Sequence, residues 1–115
     1  MYKYRAKLIK IIDGDTIDAE IDLGFNVKIK KRIRFLGINA PEIRTKDLDE
    51  KRAGLAVKSR LESIFDDSEG VFKLKSHGID KYGRVLGEIY IENNNINSLL
   101  LKEGLVSEYW GLYVD

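Results

Sequence analysis

A period of two runs through the first third of this chain, and it constrains the fold more than any other feature. Tyr2, Tyr4, Ala6 and Leu8 alternate with Lys3, Arg5 and Lys7. Ile17, Ala19, Ile21 and Leu23 alternate with Asp18, Glu20 and Asp22, and Val27, Ile29, Ile33 and Phe35 with Lys28, Lys30, Arg32 and Arg34. Successive side chains point to opposite faces only in a β-strand, so these segments read as three strands, each with one face to bury. Two turn signals join them: Asp13-Gly14, and Gly24-Phe25-Asn26. The phase slips at Ile9, after which Ile9 and Ile11 become the apolar set around Lys10, a pattern that predicts a bulge or a sharp bend. Lys31 interrupts an apolar face and is expected near an edge.

The period changes after Asn39-Ala40-Pro41-Glu42. Pro41 cannot donate to a ladder and biases Ala40 away from helix, so the strand stops there. A polar loop follows, then a predicted helix over residues 49–65, with Asp47 or Asp49 as its cap. Its apolar stripe is Ala53, Val57, Leu61, Ile64 and Phe65, spaced three and four apart. Strands are expected over residues 71–76 and 85–91. Asn93-Asn94-Asn95 then makes a turn, with Asn95 capping a short helix through 99–101 that Gly104 ends. The aromatic tail over 106–115 is expected to pack on the body. The order is α+β and mainly β, and a five-stranded OB-type Greek-key barrel with one long and one short helix accommodates it. Residues 1–115 read as a single domain.

Composition removes several chemistries. There is no cysteine, so no disulfide framework, thiol nucleophile or Cys-ligated zinc site is available. His77 is the one histidine; it reads as a surface residue of a polar turn, and histidine acid–base chemistry is disfavoured. No apolar run approaches the ~18 residues that would cross a bilayer. Met1 leads into Tyr2-Lys3-Tyr4-Arg5 rather than into a signal peptide, which favours an intracellular or phage-encoded protein over a secreted mature domain. Net charge is +1, but residues 1–42 hold nine basic and six acidic side chains. A basic strand region points weakly to a phosphate-bearing partner and equally to a solvated face. Lys28, Lys30, Lys31 and Arg32 read first as a solvated edge, and Tyr2, Tyr4, Tyr90 and Tyr109 as packing residues.

Three polar segments interrupt the pattern: Ile12-Asp13-Gly14-Asp15-Thr16, the run from Arg34 to Glu42, and Asp80-Lys81-Tyr82-Gly83-Arg84. Each alone is explained by turn chemistry. Together they supply what phosphodiester cleavage needs. Asp15, Asn39 and a turn carbonyl such as that of Ala40 offer oxygens for a hard cation. Arg34 and Arg84 provide two planar forks suited to phosphate oxygens, and Glu42 can accept a proton from water.

These motifs resemble those of the staphylococcal (micrococcal) nuclease, or thermonuclease-like, family. The resemblance rests on IDGDT at 12–16, RFLGINAPE at 34–42, DKYGR at 80–84 and LLLKEGL at 99–105, four motifs in order over nearly the whole chain. It implies an OB-type barrel and calcium-dependent hydrolysis of DNA and RNA phosphodiesters, leaving 3′-phosphate ends. It further implies that Asp15, Asn39 and the Ala40 carbonyl hold calcium, with Asp13 just behind them. Arg34 and Arg84 would grip the scissile phosphate, and Glu42 would be the general base. Lys81 and Tyr82 would contact the terminal phosphate and sugar, and Trp110 a base. The implied partner is nucleic acid, preferably single-stranded, and the implied state a monomer with no membrane role.

This sequence departs from the family pattern at Asn39, where Asp is usual. A carbonyl oxygen is retained and one negative charge is lost, so calcium affinity should be lower. The alternative reading is a non-catalytic OB-type module that binds nucleic acid or protein, with an eroded metal site.

Overall fold

The structure, a computed structural model, describes residues 2–111. Its first three strands are β1 (Tyr2–Asp13), β2 (Thr16–Asp22) and β3 (Lys28–Phe35). They pair antiparallel as a meander, with Ile17 opposite both Ile11 and Ile33. Ile17, Ala19, Ile21, Ile33 and Phe35 are buried, as the alternation requires. Leu23 and Val27, expected inside, are exposed, because both lie at the hairpin tip beyond the paired residues. The phase slip is a real irregularity: the β1–β2 register shifts between Leu8 and Lys10. Ile9 is turned out and exposed there, and only Ile11 of the expected pair enters the core.

After the short strand β4 (Ile38–Asn39), helix α1 runs Leu48–Asp67, slightly beyond its predicted span. Asp47 caps it, its carboxylate accepting from the backbone N–H groups of Asp49 and Glu50. The inner stripe is Gly54, Val57, Leu61, Ile64 and Phe65. Ala53, predicted to face inward, is exposed. Gly54 takes the inner position because the helix there touches the Pro41–Glu42 backbone, and a Cβ on Gly54 would stand 2.8 Å from the Pro41 carbonyl oxygen.

Strand β5 (Val71–Ile79) is longer than expected, since beyond an irregularity at Ser76 it resumes pairing at Ile79 with Val85 of β6 (Val85–Ile91). His77 therefore lies in a strand, half-buried, with Nε2 2.6 Å from Glu88 Oε1, and not in a surface turn. Strand β7 (Asn94–Asn95) leads into α2 (Ile96–Lys102), capped by Asn95, and Gly104 follows its end. Strand β8 (Ser107–Glu108) pairs with β4. The rest of the predicted tail, 112–115, lies outside the described residues.

The main sheet runs β3-β2-β1-β5-β6-β7, and a parallel pairing of β3 with β6 over Ile33–Phe35 closes five strands into a barrel. This is the mainly-β OB-type fold the strand order implied. Lys31 lies just outside the closing segment, on the open part of β3, as its polar character required. The core holds Ile33, Phe35, Leu61, Leu74 and Ile89 at zero exposure. Buried Asn97 on α2 ties the barrel to the turn after β3: its Nδ2 donates to the Leu36 and Gly87 carbonyls, and its Oδ1 accepts from Ile89 N–H. No described helix is long and apolar enough to cross a membrane.

Candidate functional site

Two turns meet at one end of the barrel. The β1–β2 hairpin turns on Gly14 and Asp15, and the Asp15 carbonyl accepts from Phe35 N–H at 2.8 Å, fixing the end of β3 beside it. The Asp15 side chain is buried. Its Oδ1 accepts from the Thr16 hydroxyl, and its Oδ2 from Ala40 N–H at 2.8 Å, twenty-five residues away. Val57 packs against Gly14, which also abuts Ala40, so α1 holds the two turns together.

Arg34 is 5% exposed. Its Nη1 donates to the Phe35 and Ile38 carbonyls at 2.9 and 2.8 Å, and its Nη2 donates to Asn39 Oδ1 at 3.2 Å. Nη2 also lies 3.6 Å from Asp15 Oδ2. Burial pulls this guanidinium down from its ordinary pKa; Asp15 opposes the shift, and the positive charge of Arg84 adds to it. It stays a cation at any working pH. Asp15, Arg34, Asn39 and Ala40, distant in sequence, thus form one bonded cluster.

Glu42 is exposed and one step along the chain from Pro41. It shares a cleft of about 660 Å³ with Asn39, Ala40, Glu50 and Ser107. Glu42 also bears electrostatically on Asp13. Burial raises the Asp13 carboxyl, the charges of Asp15 and Glu42 raise it further, and Arg44 opposes them. Three carboxylates therefore share one field. Among the described residues, no three of Asp, Glu or His converge closely enough to form a metal-holding group.

A third turn, 80–84, is organised by Asp80. Its Oδ1 accepts from the backbone N–H groups of Tyr82 and Arg84 at 2.9 Å each, and its Oδ2 from Arg84 Nε at 2.8 Å. Burial pushes the Asp80 carboxyl up, but these hydrogen bonds and the Arg84 charge hold it below the ordinary carboxylate value. Arg84 lies 5.2 Å, and Lys81 5.3 Å, from the centroid of the exposed Tyr82 ring. Tyr82 and Arg84 line a cleft of about 530 Å³ with Arg32. The charges of Arg84 and Asp80 both reach Arg34, so the two turns share one electrostatic environment.

Trp110 packs against the turn that follows β3. Gly37 sits there at φ +80°, and a Cβ would meet the indole at 2.7 Å, so only glycine serves both the turn and the contact. Sequence reasoning misses two residues of the site. Tyr109, expected only to pack, places its ring 6.0 Å from the Arg34 guanidinium, while its N–H donates to the Gly37 carbonyl. Asp80 reads in the sequence as a turn residue alone; its place four residues before Arg84 is the signal that could have found it.

The family model for staphylococcal nuclease homologues matches residues 32–113, taking in Arg34, Glu42, Arg84 and Trp110 but not the Asp13–Asp15 turn. Among curated proteins, Endonuclease YhcR of Bacillus subtilis is 30% identical over 98% of this chain and 10% of its own length. Endonuclease YncB of the same organism is 30% identical over 90% of the chain and 49% of its length. Micrococcal nuclease of Shigella flexneri is 27% identical over 92% of the chain and 59% of its length. The chain thus spans less than two thirds of each of these relatives. With the barrel, the ordered motifs and the clustered turns in agreement, the chain belongs to the staphylococcal nuclease homologue family.

Proposed function

We propose that this chain is a calcium-dependent nuclease that hydrolyses phosphodiesters of DNA and RNA to 3′-phosphate ends, preferring single strands. One observation carries the reading: two arginines that act on each other's charge are both held in place, Arg34 by the core, bonded to the Asn39 that lines the carboxylate-bearing cleft, and Arg84 by its own turn. Phosphoryl displacement concentrates charge on the non-bridging oxygens, and fixed guanidinium groups stabilise it without reorganising. Three of the five N–H donors of Arg34 are used within the protein, so Nε and the second Nη2 proton remain for phosphate.

Glu42 accepts a proton from the attacking water. A bond forms from that oxygen to phosphorus and the bond from phosphorus to the 5′-oxygen breaks; the departing 5′-oxygen takes a proton from solvent, and the phosphate stays on the 3′ side. Lys81 and Tyr82 hold the terminal phosphate and sugar, and Trp110 offers a face to a base. The donor set fits a hard cation, because Asp15, Asn39 and the Ala40 carbonyl are all oxygen ligands, though only one is charged. Bound there, calcium would neutralise phosphate charge.

The test is incubation of denatured DNA with the purified chain, with calcium and with chelator. Cleavage with calcium alone, leaving 3′-phosphate ends, is the expected result. Binding without cleavage at any calcium level would replace this reading with that of a non-catalytic OB-type module. The one observation favouring that alternative is that Asn39 Oδ1, the neutral replacement for a carboxylate, already accepts from Arg34.

A further inference from the structure

The outward faces of the barrel strands differ sharply in charge pairing. Between β2 and β3 three exposed cations face acids in register: Arg32 opposite Asp18, Lys30 opposite Glu20, Lys28 opposite Asp22. Arg32 and Asp18 are joined at 2.9 Å. Between β1 and β5 the pattern is the reverse. Lys3 lies opposite Lys75 and Arg5 opposite Lys73; Lys7, the next outward residue on β1, faces Val71 on β5 and Glu20 on β2. Like charges directly opposite one another in a sheet destabilise it. Among the described residues, no carboxylate lies within ion-pair distance of these five cations. Glu88, in register with Lys75, is already bonded by His77, Asn95 and Tyr90. The chain as a whole carries only +1, so this is segregation of charge and not a general excess.

We propose that the outward face of β1 and β5, bearing Lys3, Arg5, Lys7, Lys73 and Lys75, docks the sugar-phosphate backbone of single-stranded nucleic acid away from the cleavage centre. The inference rests on the nuclease reading for its substrate class and adds a second anchoring surface for that substrate. A bound polyanion relieves the like-charge repulsion that the free protein carries. Lysine and arginine without base-reading partners hold phosphates and confer no sequence preference. The strand β1 also leads from this face to the Asp13–Asp15 turn, so one strand of substrate can follow it. From Arg5 to Asp13 is eight residues, on the order of 25 Å at the β rise. About seven or eight stacked nucleotides span that distance. Acidic Asp67, Glu69 and Glu92 rim the groove beside Arg5 and Lys73. A membrane surface fits less well, because among the described residues the exposed apolar side chain in register with the cations is Val71.

The test compares the chain with two charge-neutralised variants, Arg5→Gln/Lys73→Gln and Lys3→Gln/Lys75→Gln. Binding of labelled single strands of about 30 and about four nucleotides is followed in chelator across a salt titration. For the long strand, each double variant should flatten the slope of log affinity against log salt by about 1.4, at ~0.7 for each phosphate no longer neutralised. Affinity for the short strand should not change. With calcium, KM should rise for the long substrate only, at constant kcat. Melting temperatures should hold or rise, since each variant removes a like-charge pair. An unchanged slope, or equal losses on both lengths, overturns the proposal. So does variant-sensitive binding to vesicles of anionic lipid with the oligonucleotide slope unmoved. Should the chain bind but not cleave, a flattened slope still establishes the docking face while the nuclease reading fails.

Discussion

Arg34 and Arg84 carry the same group and are held in opposite ways. Arg34 is locked by the core: its fork meets two carbonyls and an amide contributed by the turn after β3, and its charge is balanced by a buried carboxylate from another hairpin. Arg84 is locked by its own turn, through a single carboxylate four residues away, and a quarter of its side chain remains exposed. The first arrangement makes the site part of the fold. The second makes it a local device that the fold merely presents.

The largest expected effect separates these two modes. Arg34→Lys should lose roughly 10²-fold or more in rate. It should also lose about 3 kcal/mol of stability, because a lysine leaves buried carbonyls without donors beside a buried carboxylate. Rates on denatured DNA and a denaturant titration measure the two losses, and intact stability would break the comparison. Next, Arg84→Lys should lose a similar ~10²-fold in rate while stability changes by less than ~1 kcal/mol. Asp80 keeps two backbone donors in that variant, so the turn survives. A large stability loss there would mean the 80–84 turn also belongs to the core.

Smaller effects sharpen the acidic side. Asn39→Asp should lower the calcium needed for half-maximal activity, since a second carboxylate joins Asp15. It also places a charge against Arg34 Nη2, so turnover at saturating calcium should not rise. An unshifted midpoint in a calcium titration would remove Asn39 from the metal site. The smallest effect concerns Asp13. Its folded pKa is raised by burial and by Asp15 and Glu42, so its charged form opposes folding at neutral pH. Asp13→Asn should therefore raise the melting temperature slightly at pH 7. The gain should fade as pH drops through the raised pKa and vanish below the ordinary value of 3.8, where the carboxyl is protonated in both states. Melting curves at several pH values check the sign.

Much of this arrangement is legible in the sequence. Alternation locates β1, β2 and β3, a slip at Ile9 marks the bulge, and Asp47 and Asn95 are readable caps because each precedes an apolar periodic run. Motif order brings Asp15, Arg34, Asn39 and Ala40 onto one short list, and they are bonded neighbours. At Ala53 and His77, where local reading misleads, a long-range contact is responsible. Ala53 fits a helical stripe as well as Gly54 does, and only the Pro41–Glu42 backbone pressing on the helix selects glycine. His77 resembles a turn residue because Gly78 follows it, yet β5 resumes pairing with β6 beyond the irregularity, and β6 supplies Glu88 as its partner.

By itself, the sequence determined what can be written in dihedral preference and period: strands, caps, turns and the residue types able to meet a phosphate. Tertiary structure alone decided the parallel closure of β3 on β6, the Asp15 bond to Ala40 N–H, the placing of Tyr109 over Arg34 and the like-charged register of β1 against β5. Each of these joins residues far apart along the chain. Local propensity carries no information about such pairs, whose geometry is fixed only once the barrel has closed around a common core.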